Sequence, residues 1–239
     1  MPRFFVAPSQ IGETQIQLDA EIQAHIKVLR LRPDETFIIT DGAGKDYICK
    51  HSGDAAQILS QSENQSEPAI KCVVYLAYTK GERMEYAIQK SVELGAVGIM
   101  LYPSHRCVAR YDAKTLPKKH ARFEKIAQEA AKQSGRGLLP EVKTLPSFKQ
   151  AAEEAAKAEK KLFLYEQERT QTLKAALNQG VRPQTISLFI GPEGGFTECE
   201  AKEAIANSLQ SVSLGRRILR AETAPVAALA AVMFWAGEL

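Results

Sequence analysis

From Lys71 to its end the chain alternates strand-like and helix-like runs, and this alternation limits the fold more than any other feature. "KCVVYLAYT" (71–79) precedes the helical "RMEYAIQKSVELG" (83–95), and apolar "VGIMLY" (97–102) precedes a long helical stretch from about 113 to 134. "FKQAAEEAAKAEK" then leads into "KLFLYE", "TLKAALNQG" into "TISLFIG", and "ECEAKEAIANS" into "SVSLG", before an apolar C-terminal helix. Strands that alternate with helices form βαβ units, so a mostly parallel sheet is expected.

The first sixty residues have a different rhythm. "ETFIITDGAGKDYICKHSG" alternates, turns at Asp41-Gly42 and resumes, as a hairpin does. "HIKVLRLRPDE" reads as a short helix running into an Arg-rich turn. The polar stretch "SQSENQSEP" (60–68), closed by Pro68, marks the expected boundary. The plan is a small β-rich module over residues 1–68 and an α/β domain over 69–239.

Apolar residues make up 45% of the chain and charged ones 25%, which is enough for a sizeable core and speaks against disorder. A formal charge of +3 does not by itself argue for nucleic acid. The distribution says more, because between Ser104 and Lys125 seven Lys/Arg face two acids. Such clustering suits phosphates; a solvated helix face is the competing reading. Four cysteines without a CxxC pair fit neither a zinc site nor a small disulfide framework, and the four histidines have no metal-ligand spacing. "MPRFFVAPSQ" lacks the apolar core of a signal peptide. The longest apolar stretch, Ala224 to Gly237, falls short of the roughly 20 residues that span a bilayer. The expectation is a reduced, cytoplasmic protein with no membrane segment and no metal.

Two motifs carry chemistry. In "ISLFIGPEGGFTECE" (186–200) a greasy run stops in Gly-Pro-Glu-Gly-Gly, and Thr197 with Glu200 then forms a capping-box pattern. Glycines permit a positive φ or let a ligand lie against bare backbone, and in open α/β sheets ligands sit at the carboxyl ends of strands. A turn that merely needs glycine explains the loop equally well. It is not a dinucleotide fingerprint, since G-x-G-x-x-G is absent. "DGAGKDY" (41–47) lacks the upstream glycine and the Ser/Thr after Lys45 that a phosphate loop needs. In "SLGRRILRAETAPVAAL" (213–229), three arginines follow Gly215 within five positions, and Thr223 can cap a helix with Pro225 in its first turn. Ile218 and Leu219 interrupt the arginines, so this turn is expected to be anchored in the core. No G-x-S-x-G elbow indicates a nucleophile–base triad.

Together, "IGPEGGFTECE", "LGRRILRAETA", "IQKSVELGAVGI" and "IAQEAAKQSGR" resemble the motif blocks of the bacterial 16S ribosomal RNA uridine-N3 methyltransferases, and "HIKVLRLRPDE" resembles that family's N-terminal motif. The resemblance covers nearly the whole chain. It departs at His105 in "SHRCV", where an acidic residue is expected. It implies a SPOUT-type fold, a trefoil-knotted parallel sheet with helices on both faces, joined to a small N-terminal PUA-like β-barrel that binds RNA. It also implies S-adenosylmethionine bent in the knot. Its holders would be Tyr165 and Glu166; Ile190, Gly191, Pro192, Glu193, Gly194 and Gly195; and Leu214, Gly215, Ile218, Leu219, Arg220, Thr223 and Ala224.

The implied substrate is one uridine near the decoding region of 16S ribosomal RNA in the 30S subunit, methylated at N3 by a homodimer with RNA across both subunits. Arg220 is the candidate to stabilise negative charge on N3 and the flanking oxygens. Glu222 or Glu193 is the candidate proton acceptor, with a capping or structural role as the alternative for each. No metal is required. Candidate RNA contacts are His25, Arg30, Arg32, Lys90, Arg106, Gln133 and Arg136, the last two reaching the RNA or the partner's site. Lys90 with Glu93 three places on reads equally as a surface ion pair. Two other readings stay open. One keeps the fold but targets a ribose 2′-oxygen or another base; the other is a non-enzymatic RNA-binding assembly factor.

Overall fold

The structure, a computed structural model, describes residues 1–32 and 34–239, so Pro33 of the Arg-rich turn lies outside the described residues. Two compact units divide the chain: Met1–Glu67 with Ala131–Leu139, and Pro68–Ala130 with Pro140–Leu239.

The first unit contains β1 (Arg3–Phe5), β2 (Gln15–Gln17), α1 (Ala20–Leu29), β3 (Thr36–Thr40), β4 (Lys45–Ser52) and β5 (Ala55–Glu63). Its sheet order is β1-β3-β4-β5-β2. The hairpin read from the alternation is β3 and β4, paired antiparallel from Thr36↔Lys50 to Thr40↔Asp46, with Gly42 at φ 71° in the turn. Phe4 and Ile16 come from opposite edges of the sheet, yet both belong to one buried cluster with Phe37, Ile39 and the α1 residues Ile22 and Ile26. The sheet therefore curls around its core. The expected barrel is this curled sheet, with β1 and β2 remaining as its edges.

β5 extends through Glu63, so the first half of the polar stretch read as a boundary is strand. Its last five residues are all exposed, and an exposed polar strand has the composition of a linker. The larger departure is the return of the chain at Ala131–Leu139. Asn64 Nδ2 donates to the Gly135 carbonyl at 3.1 Å, Thr40 Oγ1 donates to the Gly137 carbonyl at 3.1 Å, and Ala43 bridges Leu138. The Glu67 carboxylate accepts from the Arg136 guanidinium at 2.6 Å and from Gly137 N and Leu138 N at 3.0 Å each. A single cut at 68/69 thus assigns residues 131–139 to the wrong unit. Arg136, expected to reach RNA or a partner, is 2% exposed and holds this segment in place.

The second unit runs β6 (Lys71–Ala77), α2 (Glu82–Glu93), β7 (Gly98–Tyr102), α3 (Leu116–Gln133), β8 (Glu141–Thr144), α4 (Phe148–Ala155), β9 (Lys160–Leu164), α5 (Leu173–Leu177), β10 (Thr185–Ile190), α6 (Glu198–Ala206), β11 (Gln210–Val212) and α7 (Thr223–Ala236). Its six strands are all parallel, in the order β11-β9-β10-β6-β7-β8. β7 is buried at every position and β10 at every position after Thr185, so helices must cover both faces. α2 packs with α7 and α4 with α6, while α7 and α4 both rest on β6 and β10. Thr223 does not cap α7: it is the first helical residue, and Glu222 occupies the cap position without a side-chain cap bond. Among the described residues no helix is long and apolar enough to cross a membrane.

Candidate functional site

Because β9, β10 and β11 are parallel neighbours, their carboxyl ends emerge side by side. The loops that leave them wall a cavity of about 400 Å³. Tyr165, Glu166, Ile190, Gly191, Pro192, Glu193, Gly195, Leu214, Gly215, Ile218, Leu219, Arg220, Glu222 and Ala224, all expected at the site, line it together. Gly194 and Thr223 do not line it. Arg83, Leu164, Val212 and Ser213 also contribute, and sequence reasoning missed them; Arg217 and Ala221, which line it too, lie in the "LGRRILRAETA" block that the resemblance placed at the cofactor.

The glycines of the central loop serve the protein's own packing. A Cβ on Gly191 would lie 2.8 Å from the Phe196 ring. That ring is 1% exposed and fixed among Phe163, Phe148 and Phe189, with centroids 4.5, 6.0 and 6.2 Å away. A Cβ on Gly194 would meet Arg106 Cβ at 2.9 Å, and Arg106 Nη1 donates to the Gly194 carbonyl at 3.1 Å. Gly195 has φ 67° and crowds the Glu166 carboxylate, which accepts from Phe196 N at 3.1 Å. The loop backbone is thus drawn tight against the protein, and its other side is left for a ligand. Gly191→Ala is expected to lose about 1–3 kcal/mol through overpacking against a ring that cannot retreat. A shift of the urea midpoint measures it.

Beyond the loop the capping box forms as read: Thr197 N donates to Glu200 Oε2 at 2.9 Å and Glu200 N to Thr197 Oγ1 at 3.2 Å. Glu200 Oε1 also accepts from Ser104 Oγ and His105 N, both at 2.8 Å. His105, where the family resemblance lapses, makes this contact through its main chain. Burial disfavours the Glu200 charge, but the hydrogen bonds from Thr197, His105 and Ser104 outweigh it and hold the carboxyl below its usual value. A depressed folded pKa stabilises above the unfolded value and is lost as pH falls through the folded one. Glu200→Gln should therefore show a shallower loss of stability between about pH 5 and 3 than the parent, read from denaturant midpoints.

Charge in the cavity centres on Arg83, in the first turn of α2. Its Nη1 lies 3.4 Å from Glu193 Oε1 and its Nε 3.8 Å from Glu222 Oε1. Glu193 Oε1 also accepts from Lys80 N at 3.1 Å. The second oxygen of each acid, Glu193 Oε2 and Glu222 Oε2, is buried without a hydrogen-bond partner. Leaving such atoms unpaired is costly, so they suit a ligand that brings positive charge or donors. Arg220 is exposed and forms no ion pair among the described residues.

The candidate RNA contacts are more scattered in character. His25 packs edge-on against Phe4 at 5.5 Å, and Arg30 ends α1 at φ 52°. Arg32 pairs with Glu35 at 3.2 Å and Lys90 with Glu93 at 2.8 Å, the surface-pair geometry that the spacing allowed. Arg106 braces the glycine loop, and Gln133 is exposed at the end of α3. In the basic stretch, Arg122 is held by both oxygens of Glu85 at 2.6 and 2.8 Å.

Known proteins share this architecture. A family described as an RNA methyltransferase domain matches residues 65–233, and an RNA methyltransferase PUA domain matches residues 18–58. The ribosomal RNA small subunit methyltransferase E of Synechocystis sp. is 36% identical over 235 residues, covering 96% of this chain and 76% of its own. Its namesake from Bacillus subtilis is 33% identical, covering 98% and 96% respectively. The solved structure of ribosomal RNA small subunit methyltransferase E from Neisseria gonorrhoeae, bound to S-adenosyl methionine, matches with a TM-score of 0.88 at 33% identity, covering 98% of each chain.

Proposed function

The chain belongs to the family of ribosomal RNA small subunit methyltransferases E, and from that premise we propose that it methylates N3 of one uridine in the decoding region of 16S ribosomal RNA, using S-adenosylmethionine. The observation that most supports the cofactor assignment is the pair of partnerless oxygens on Glu193 and Glu222 inside a cavity with an apolar wall. S-adenosylmethionine carries a sulfonium and an ammonium beside an adenine, and so matches both features. When bound, it supplies an electrophilic methyl group.

The chain's own residues do the rest. Leu164, Ile190, Leu214 and Leu219 keep water from the apolar part of the ligand. Uridine N3 is a poor nucleophile until its proton leaves, and Arg220 is placed to stabilise the charge that then gathers on N3 and its flanking oxygens. Glu222 receives the proton. Both acids have an unpartnered Oε2, but among the described residues Glu222 caps nothing and is held only by Arg83 at 3.8 Å, whereas Glu193 is fixed through Oε1 by Lys80 N at 3.1 Å as well as by Arg83. The trefoil knot of the SPOUT class belongs to this reading. So does a homodimer, supported by the apolar outer face of α7, where Ala231 and Phe234 are exposed. The working compartment is the cytoplasm. His25, Arg30, Arg32, Lys90, Arg106 and Gln133 are carried forward as RNA contacts.

The test is methyl transfer from radiolabelled S-adenosylmethionine to purified 30S subunits and to protein-free 16S RNA, with nucleoside analysis. N3-methyluridine is the expected product. Label on another atom would overturn the substrate, and absence of cofactor binding would overturn the enzyme.

A further inference from the structure

We infer that a second cavity, on the same edge of the parallel sheet, holds an unstacked nucleotide of the substrate RNA next to the target uridine. The inference rests on the function proposed above. This cavity, of about 510 Å³, opens at the carboxyl ends of β6, β7 and β8, where Tyr78, Ser104 and Thr144 follow or end the strands. All six strands are parallel, so it faces the same way as the cofactor cavity at β9, β10 and β11. Ligands in open parallel sheets bind outside the carboxyl ends.

The two cavities are close. Glu193 lines the first, and its charge is felt by Cys107 and Tyr111, which line the second. Arg106 bridges them along the chain, since it lies between His105 and Cys107 of the second cavity and bonds Gly194 in the loop of the first. A target base that reaches the methyl group in the first cavity leaves room in the second for a neighbour, not for itself.

The lining matches a nucleotide. The half-buried Tyr111 lines the cavity, its ring held edge to face by the buried Tyr78 at 4.8 Å and braced behind by the buried Phe123 at 6.3 Å. Sequence-tolerant recognition of single strands uses such rings to stack bases. A tyrosine phenol is protonated at neutral pH and can donate as well as accept; burial pushes both phenols further up, Tyr78 to about 12. Arg110 and His105 are exposed at the rim, where a phosphate would sit. The wall is built by a loop, residues 103–115, with no helix or strand of its own. Loops of that length are uncommon inside compact domains, and binding loops are one of the two classes in which they recur.

The full-length protein is cross-linked to protein-free 16S RNA transcribed with 4-thiouridine, and the attached peptides are mapped by mass spectrometry. A cross-linked peptide containing Ser104–Tyr111 is expected, and its yield should fall in Arg110→Ala and Tyr111→Leu. Both variants should raise KM for RNA by about tenfold with kcat and cofactor affinity within about threefold, as loss of a phosphate or stacking contact does. Arg110 is exposed, so its variant tests the site even if Tyr111→Leu folds poorly. Cross-links only elsewhere, or an unchanged KM in Arg110→Ala, would overturn the inference. Failure of the functional reading looks different: the wild-type protein would then give no N3-methyluridine, whatever the cross-link map.

Discussion

Arg220→Ala should lower methyl transfer by about 10²–10³-fold, the cost of deleting one preorganised donor at a developing anion, while cofactor affinity stays within a few fold. The structure separates these two effects. Arg220 lines the cavity, is exposed and has no ion pair among the described residues, so its guanidinium holds nothing in the fold. Its carbonyl accepts from Thr223 N and Ala224 N at 2.9 Å each, and alanine keeps both bonds. The start of α7 should therefore survive the change. Single-turnover rates on 30S subunits, paired with cofactor titrations, read the two quantities. Lysine at this position should restore only part of the rate, because a point charge does not reproduce the planar fork across N3 and a carbonyl. Turnover within about tenfold of the parent would move the role to another residue.

Glu67→Ala should cost about 3–5 kcal/mol, the usual penalty for breaking a buried pair from one side. The side chains of Arg136 and Glu67 are 3% and 15% exposed, and the carboxylate also collects Gly137 N and Leu138 N. Its removal strips the returning segment of its main acceptor. The control is Glu93→Ala at the more exposed Lys90 pair, where roughly 1 kcal/mol or less is expected. Thermal melts of the full chain compare them, and equal midpoints would show that the buried pair carries no special weight.

The alternating architecture was legible because its central strands are short greasy runs buried on both faces and its helices are long. β8 was not. "EVKT" is a four-residue edge strand with alternating burial, too brief for any period to stand out. The glycine and arginine loops were legible as a cofactor site only through resemblance, since Gly191, Gly194 and Gly195 are each also explained by a protein neighbour that the sequence does not reveal, and Gly215 by its positive φ of 115°. Arg83 had no local signal: it meets Glu193 across 110 positions, and only the folded sheet brings α2 over the β10 loop. Arg136 misled for the converse reason. "QSGR" at a helix end has the composition of a solvated surface, and the acid that buries it lies 69 positions back.

The returning segment also imposes a timetable on synthesis. Residues 1–67 leave the ribosome first, yet Glu67 meets its arginine only 69 positions later. At roughly 5–20 residues per second, translation leaves the nascent N-terminal unit incomplete for several seconds. During that interval β6 and β7 are made, while β9, β10 and β11 do not yet exist. The small unit begins to be made before its larger neighbour, but it closes only once Pro68–Ala130 of that neighbour has been translated.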